Sequence, residues 1–116
     1  MDFVKSSLPQ KYSMVIGIQS IECVNTEADF ISSLNNVAKM LESNGKFLLM
    51  ILRYKKVTNF TRKMIESNME GLLNPNLKKL EQLFNNSNLT TTKISVFELN
   101  QEINYHEAIF IEAKLR

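Results

Sequence analysis

The spacing of apolar residues changes several times along the chain, and each change marks an element. Residues 13–18, "SMVIGI", are a short apolar run rich in β-branched side chains, the pattern of a strand covered on both faces. Gly17 inside it marks a close approach of another backbone or a ligand. The period then becomes helical. Phe30, Ile31, Leu34, Val37, Ala38 and Leu41 form one stripe, with Ser32, Ser33, Asn35, Asn36 and Lys39 opposite. Thr26 and Asp29, three apart, make a capping-box pattern at its start, and Asn44-Gly45 ends it because glycine accepts the left-handed conformation. The spacing predicts a helix over 27–43 and a second buried strand, "KFLLMIL", over 46–52. Two buried strands joined by a helix form a right-handed parallel crossover, which sets the fold class as α/β.

The second half is less regular. Met64, Ile65, Met69 and Leu72 suggest a helix that Asn74-Pro75 breaks, and Leu77, Leu80, Leu83 and Phe84 form the inward side of another over 75–86. Residues 91–99 alternate as a strand, with Ile94, Val96 and Phe97 apolar, and 107–115 reads as a final strand. The short polar link between them makes the pair antiparallel.

Composition narrows the function classes. The chain has 116 residues, room for one small domain, and ordinary globular proportions of apolar and charged residues. A net charge of +2 says little about partners, although nucleic-acid-binding domains are usually far more basic, so nucleic acid is not the expected partner. Five cations, Arg53, Lys55, Lys56, Arg62 and Lys63, interleave with Tyr54 and Phe60. A solvated insertion explains them better than an RNA-contacting patch. No run is long or apolar enough to span a membrane, and residues 1–12 lack the apolar core of a signal peptide. The single cysteine, Cys23, cannot form an internal disulfide, which suits the cytoplasm. His106, the lone histidine, reads as a turn residue, and neither it nor Cys23 has a neighbour at metal-ligand spacing, so no metal site is expected. The methionines fall mainly at expected core positions.

Chemistry is expected at the carboxyl end of the first strand, since ligands of open α/β sheets bind outside that edge. Gln19, Ser20 and Glu22 lie there, either as a binding loop or as a solvated one. Asp29 serves most simply as a helix-capping residue.

The order of strand, acidic loop, helix ending "ML…NGK", strand "FLLMIL", insertion, helix and antiparallel strand pair resembles the C-terminal half of a class I S-adenosylmethionine-dependent methyltransferase. The opening "MDFVKSSLPQKYSMVIGIQ" is similar to that family's passage into its fourth strand. "IECVNTEADFISSLNNVAKMLESNGKFLLM" looks most like the N-methyltransferases of nicotinamide, phenylethanolamine and histamine. The resemblance spans nearly the whole chain and implies a Rossmann-like methyltransferase sheet. In that sheet the last strand lies between the second parallel strand and the penultimate one.

The resemblance implies S-adenosylmethionine as cofactor and a small-molecule methyl acceptor, with transfer to nitrogen. It implies that Asp2 accepts a hydrogen bond from the adenine amino group and that Gln19 and Ser20 flank the methionine portion. Glu22, Asp29 and Tyr54 would face the acceptor, and no catalytic base is implied. The sequence departs from the family at two places. The usual Lys-Pro-Gly-Gly turn is Glu42-Ser43-Asn44-Gly45, and the cofactor's glycine-rich loop would lie before residue 1, the only glycines being 17, 45 and 71. Residues 1–116 are therefore expected to be one partial domain, with a second reading as a non-catalytic module that pairs with another chain. Strand 13–18 would then be an uncharged edge open to a protein partner or to self-association.

Overall fold

The computed structural model describes residues 9–18, 26–54, 77–98 and 105–116. They form, in chain order, β1 (Tyr12–Ile18), α1 (Glu27–Lys39), β2 (Leu41–Tyr54), α2 (Leu77–Asn85), β3 (Leu89–Glu98) and β4 (Tyr105–Leu115). The strands make one sheet in the order β1-β2-β4-β3. β1 and β2 are parallel, and β4 is antiparallel to both β2 and β3. The last strand thus inserts between the second parallel strand and the penultimate one, as expected. The helix expected within 58–73 lies outside the described residues.

Both helices cover the same face. Phe47, Leu49 and Ile51 of β2 and Ile109, Ile111 and Ala113 of β4 meet Phe30, Leu34 and Val37 of α1 and Leu80, Leu83 and Phe84 of α2. The rings of Phe30 and Phe84 meet edge to face with centroids 6.3 Å apart, locking the two helices together above the sheet. The turn after α2 is tied down by side chains. Ser87 Oγ donates to Phe84 O at 2.7 Å, Asn35 Oδ1 of α1 accepts from Asn88 N at 2.8 Å, and Arg116 Nε donates to Ser87 O at 2.9 Å. The Arg116 guanidinium also meets the carbonyls of Phe84 and Asn85, where a cation complements the negative end of a helix.

The first helix is shorter than its periodicity suggested. Thr26 is its N-cap, in extended conformation, and its Oγ1 accepts from Asp29 N at 3.0 Å. Asp29 therefore supplies the capped amide and a first-turn negative charge. The helix ends at Lys39 because β1 captures the next two residues: Tyr12 N donates to Met40 O at 2.7 Å, and Leu41 pairs with Tyr12 in the ladder. Leu41, placed by its spacing on the helical stripe, is the first residue of β2 and almost wholly buried. Glu42 to Gly45 then loop out of the ladder, which resumes with Lys46 opposite Met14.

Gly45 is needed here for space. Its φ lies outside the left-handed range, and an added Cβ would stand 3.0 Å from both Glu42 O and Tyr12 O. Ser33 and Asn36, assigned by spacing to the polar face, are buried. Ser33 Oγ answers its burial by donating to Asp29 O at 2.9 Å. His106 lies inside β4 and not in a turn, and Met14 is 49% exposed instead of in the core.

Two outcomes test this fold. Gly45→Ala should lower unfolding stability by about 1–3 kcal/mol, the usual cost of an atom that the surroundings must move to admit, read from a denaturant midpoint at unchanged m-value. Along β1, amide exchange should alternate, every second amide being ordered by β2 and the others facing outward; uniformly slow exchange would show the outer edge to be covered.

Candidate functional site

The parallel pair defines where a ligand can sit. β1 ends at Ile18 and β2 at Tyr54, and the crossover brings the N-terminus of α1 back to that same carboxyl edge. Asp29 lies there, half-buried in the first turn of α1. Its neighbour Glu27 is committed elsewhere, to an ion pair with Lys79 of α2. Thr26 is likewise engaged as the cap. Asp29 is thus the acid of that turn with no structural ion pair described, an arrangement suited to a cationic or hydrogen-donating ligand. Tyr54 closes β2 opposite Tyr105. Asp29 and Tyr54 therefore share the carboxyl edge, while Asp2, Gln19, Ser20 and Glu22 lie outside the described residues. Of the basic segment, Arg53 stands opposite Glu107 in the β2–β4 ladder; Lys55, Lys56, Phe60, Arg62 and Lys63 also lie outside them. Among the described residues no group of three His, Cys, Asp or Glu is placed to hold a metal ion, and no helix is long and apolar enough to cross a membrane.

Sequence reading missed a second polar arrangement, on the face away from the helices. Lys46 Nζ lies 3.6 Å from Glu112 Oε1, and Thr92 Oγ1 donates to Glu112 Oε2 at 2.7 Å. The hydrogen bond from Thr92 foremost, and then the Lys46 charge, hold the Glu112 carboxyl below its ordinary value of 4.5. The group borders an open groove of about 530 Å³ lined by Leu48, Lys93, Ser95, Phe97, Phe110 and Glu112. The groove lies on mid-strand residues of the second face, not in front of the strand ends. Alternation along β4 places Glu112 on that face, but only the register shows that it meets Lys46 and Thr92.

No family model matches the chain, and no curated protein sequence matches it. Solved structures do. The mitomycin 7-O-methyltransferase MmcR superposes with a TM-score of 0.72 at 11% identity, over 100% of this chain and 33% of that one. The O-methyltransferase NcsB1 from neocarzinostatin biosynthesis, in complex with S-adenosyl-L-homocysteine and 1,4-dihydroxy-2-naphthoic acid, gives 0.69 at 14% identity, over 98% and 32%. An S-adenosylmethionine-dependent methyltransferase from Clostridium acetobutylicum gives 0.69 at 11%, over 99% and 63%. The chain spans about a third of the length of the first two. Its fold is the C-terminal part of a Rossmann-like methyltransferase sheet.

The Glu112 arrangement makes a pH prediction. A carboxyl held below its unfolded value stabilises the fold fully above that unfolded value, and the stabilisation is lost as pH falls through the folded one. In an NMR titration Glu112 should have a midpoint below 4.5, and Thr92→Val should move it upward. An unmoved midpoint would assign the shift to Lys46.

Proposed function

We propose that this chain is the C-terminal part of an S-adenosylmethionine-dependent methyltransferase that acts on a small molecule. The observation that carries the reading is the match of the whole chain, strand order included, to one portion of methyltransferase chains. Fold alone does not fix a reaction, so the reading leans also on the sequence resemblance from Asp2 to the final strand.

The described residues fit such a cofactor in part. They offer the carboxyl edge of a parallel pair and one half-buried acid, Asp29, beside it. They offer no glycine-rich cofactor loop, and the three glycines of the sequence do not form one. When bound, S-adenosylmethionine supplies an electrophilic methyl group. The chain's own part is to bind and orient. Asp2 accepts from the adenine amino group, Gln19 and Ser20 flank the methionine portion, and Glu22, Asp29 and Tyr54 hold the acceptor in line. Positioning of this kind supplies most of the rate in a direct transfer, and no dedicated base is required.

The acceptor atom in this reading is nitrogen, from the likeness of residues 21–50 to amine and ring-nitrogen methyltransferases. MmcR and NcsB1 are O-methyltransferases, so a hydroxyl acceptor is the competing outcome. The single cysteine supports a cytoplasmic setting. In the second reading the same sheet serves as a non-catalytic module that pairs with another chain. The exposed side of β1 favours it, because Met14, Ile16 and Ile18 are 49%, 61% and 62% exposed.

Calorimetric titration with S-adenosylmethionine and S-adenosylhomocysteine tests the first reading. Residues 1–116 alone should not bind in the micromolar range, and binding should appear once a segment bearing a glycine-rich loop is joined before residue 1. Failure of such a joined protein to bind either compound would sink the reading. With binding in hand, Asp29→Asn should raise KM for an amine acceptor severalfold while lowering stability by only about 0.5–1 kcal/mol, the scale of a first-turn charge.

A further inference from the structure

Leu89 and Ile94 of β3 both pack on the helix-covered face, opposite Leu115 and Ile111 of β4. Leu115 and Ile111 stand four residues apart, whereas Leu89 and Ile94 stand five apart. Side chains alternate along a strand, so two residues an odd number apart share a face only if an extra residue is inserted between them. β3 therefore needs a bulge in this interval. Without one, either Leu89 would leave the core or Lys93 would come to lie opposite Ile111, a charge turned into the core.

That need fixes the existence of the bulge and not its position. Three threonines, Thr90, Thr91 and Thr92, stand against two residues of β4, Lys114 and Ala113. Any of the three can be the extra residue while Leu89 stays opposite Leu115 and Lys93 opposite Glu112. The side chains are identical, so size, branching and polarity do not choose among them. The structure holds one of the three arrangements. Thr90 pairs with Lys114, Thr91 with Ala113, and Thr92 has no partner in the ladder.

Thr92 is distinguished by a contact to one residue across the ladder. Its Oγ1 donates to Glu112, 2.7 Å from Oε2 and 3.2 Å from the main-chain O. With Thr91 or Thr90 as the extra residue, Thr92 would instead pair with Ala113 on the helix-covered face, and its hydroxyl would leave Glu112. The alternatives thus keep the apolar contacts and lose this bond, which a charged acceptor strengthens. The charged groups around Glu112 among the described residues are all cations: Lys46 of β2, Lys93 opposite it on β3, and Lys114 two residues along β4. They favour its ionised, accepting form. The helices lie across the sheet.

A bulge bends its strand and increases the local twist. From this one β3 runs to Glu98, opposite Glu107 near the carboxyl edge, so the choice of threonine sets the course of that half of the strand.

We propose that the Thr92–Glu112 bond is a register latch: it selects Thr92 from three threonines as the extra residue of β3, and neutralising Glu112 releases the bulge to Thr91 or Thr90. The latch depends on the β3–β4 ladder alone, whatever else covers the sheet and whatever reaction the chain serves.

Inter-strand nuclear Overhauser contacts in the 116-residue chain test it at neutral pH. The unaltered chain should show one contact to Ala113, from residue 91. In Thr92→Val and in Glu112→Ala a contact from residue 92 to Ala113 should appear, in roughly one molecule in ten or more, the upper scale of a minor state. Thr91→Val, which leaves the latch in place, should keep the original contact alone. In every variant the Leu89–Leu115 and Ile94–Ile111 contacts should persist. If both Thr92→Val and Glu112→Ala keep residue 91 as the sole partner of Ala113, the position of the bulge is set elsewhere and the proposal is overturned. Loss of the Leu89–Leu115 or Ile94–Ile111 contact in both would overturn it as well, because the three arrangements would then not share one core.

Discussion

Two adjacent strands running in the same direction govern everything else in this molecule. A parallel pair cannot be closed by a tight turn, so the chain must leave the sheet at Ile18, cross one face and return. That crossing is α1, and its placement decides which residues become core. Phe30, Leu34 and Val37 point down onto Phe47, Leu49 and Ile51, and the helix N-terminus arrives at the strand ends where a ligand can sit. The antiparallel β4 then fills the space beside β2, and α2 shares the face already occupied by α1. The core and the candidate binding edge are two consequences of one crossover.

That constraint also explains which parts of the fold were legible in the sequence. Strand 46–52 and the stripe of α1 are apolar because the crossover buries them, so composition and period report them directly. The helix boundary was not legible. Leu41 continues the helical spacing, yet it belongs to β2, because the pairing of Tyr12 with Met40 and Leu41 is a contact between distant segments that no local pattern contains. Gly45 shows the same limit. A glycine after Asn44 reads locally as a helix stop, whereas its actual necessity arises from the carbonyls of Glu42 and Tyr12 crowding its α-carbon. Ser33 and Asn36 read as surface and are buried, because burial on a helix follows from what packs against it and not from its own period.

The candidate site was legible only as a place. The carboxyl edge is set by strand direction, and strand direction by the length of the connection, so residues around 19–22 and at the head of α1 could be named from the sequence. Their roles could not be read in the same way. A short polar loop carries no period, and an acid in the first turn of a helix serves the helix dipole whether or not it also meets a ligand. For Asp29 the structure adds one distinction. Glu27, two residues earlier, is engaged by Lys79, so the two acids of that turn have different work, and Asp29 is the one at the edge whose charge could answer a ligand's.

The two faces of the sheet carry different kinds of information. The covered face repeats what any α/β crossover needs, and large apolar residues fill it almost interchangeably. On the second face, apolar residues on β1 and aromatic residues on β3 and β4 coexist with charged residues in two rows, Lys46 with Lys114 and Glu112 with Lys93. If that face were simply solvated, the alternation of β2 would read apolar-in and polar-out, yet Leu48, Met50 and Leu52 alternate with Phe47, Leu49 and Ile51 as one unbroken apolar run. β4 does not share that run, since Glu112 and Lys114 take outward positions beside Phe110. The hydrophobic demand on the second face is therefore strongest at the parallel pair and fades across β4 towards β3, leaving protruding isoleucines on one flank and an aromatic-walled groove on the other. The constraint that fixes the crossover thus also shapes the other face: a parallel strand pair is ordinarily covered on both sides, and among the described residues α1 and α2 cover one of them.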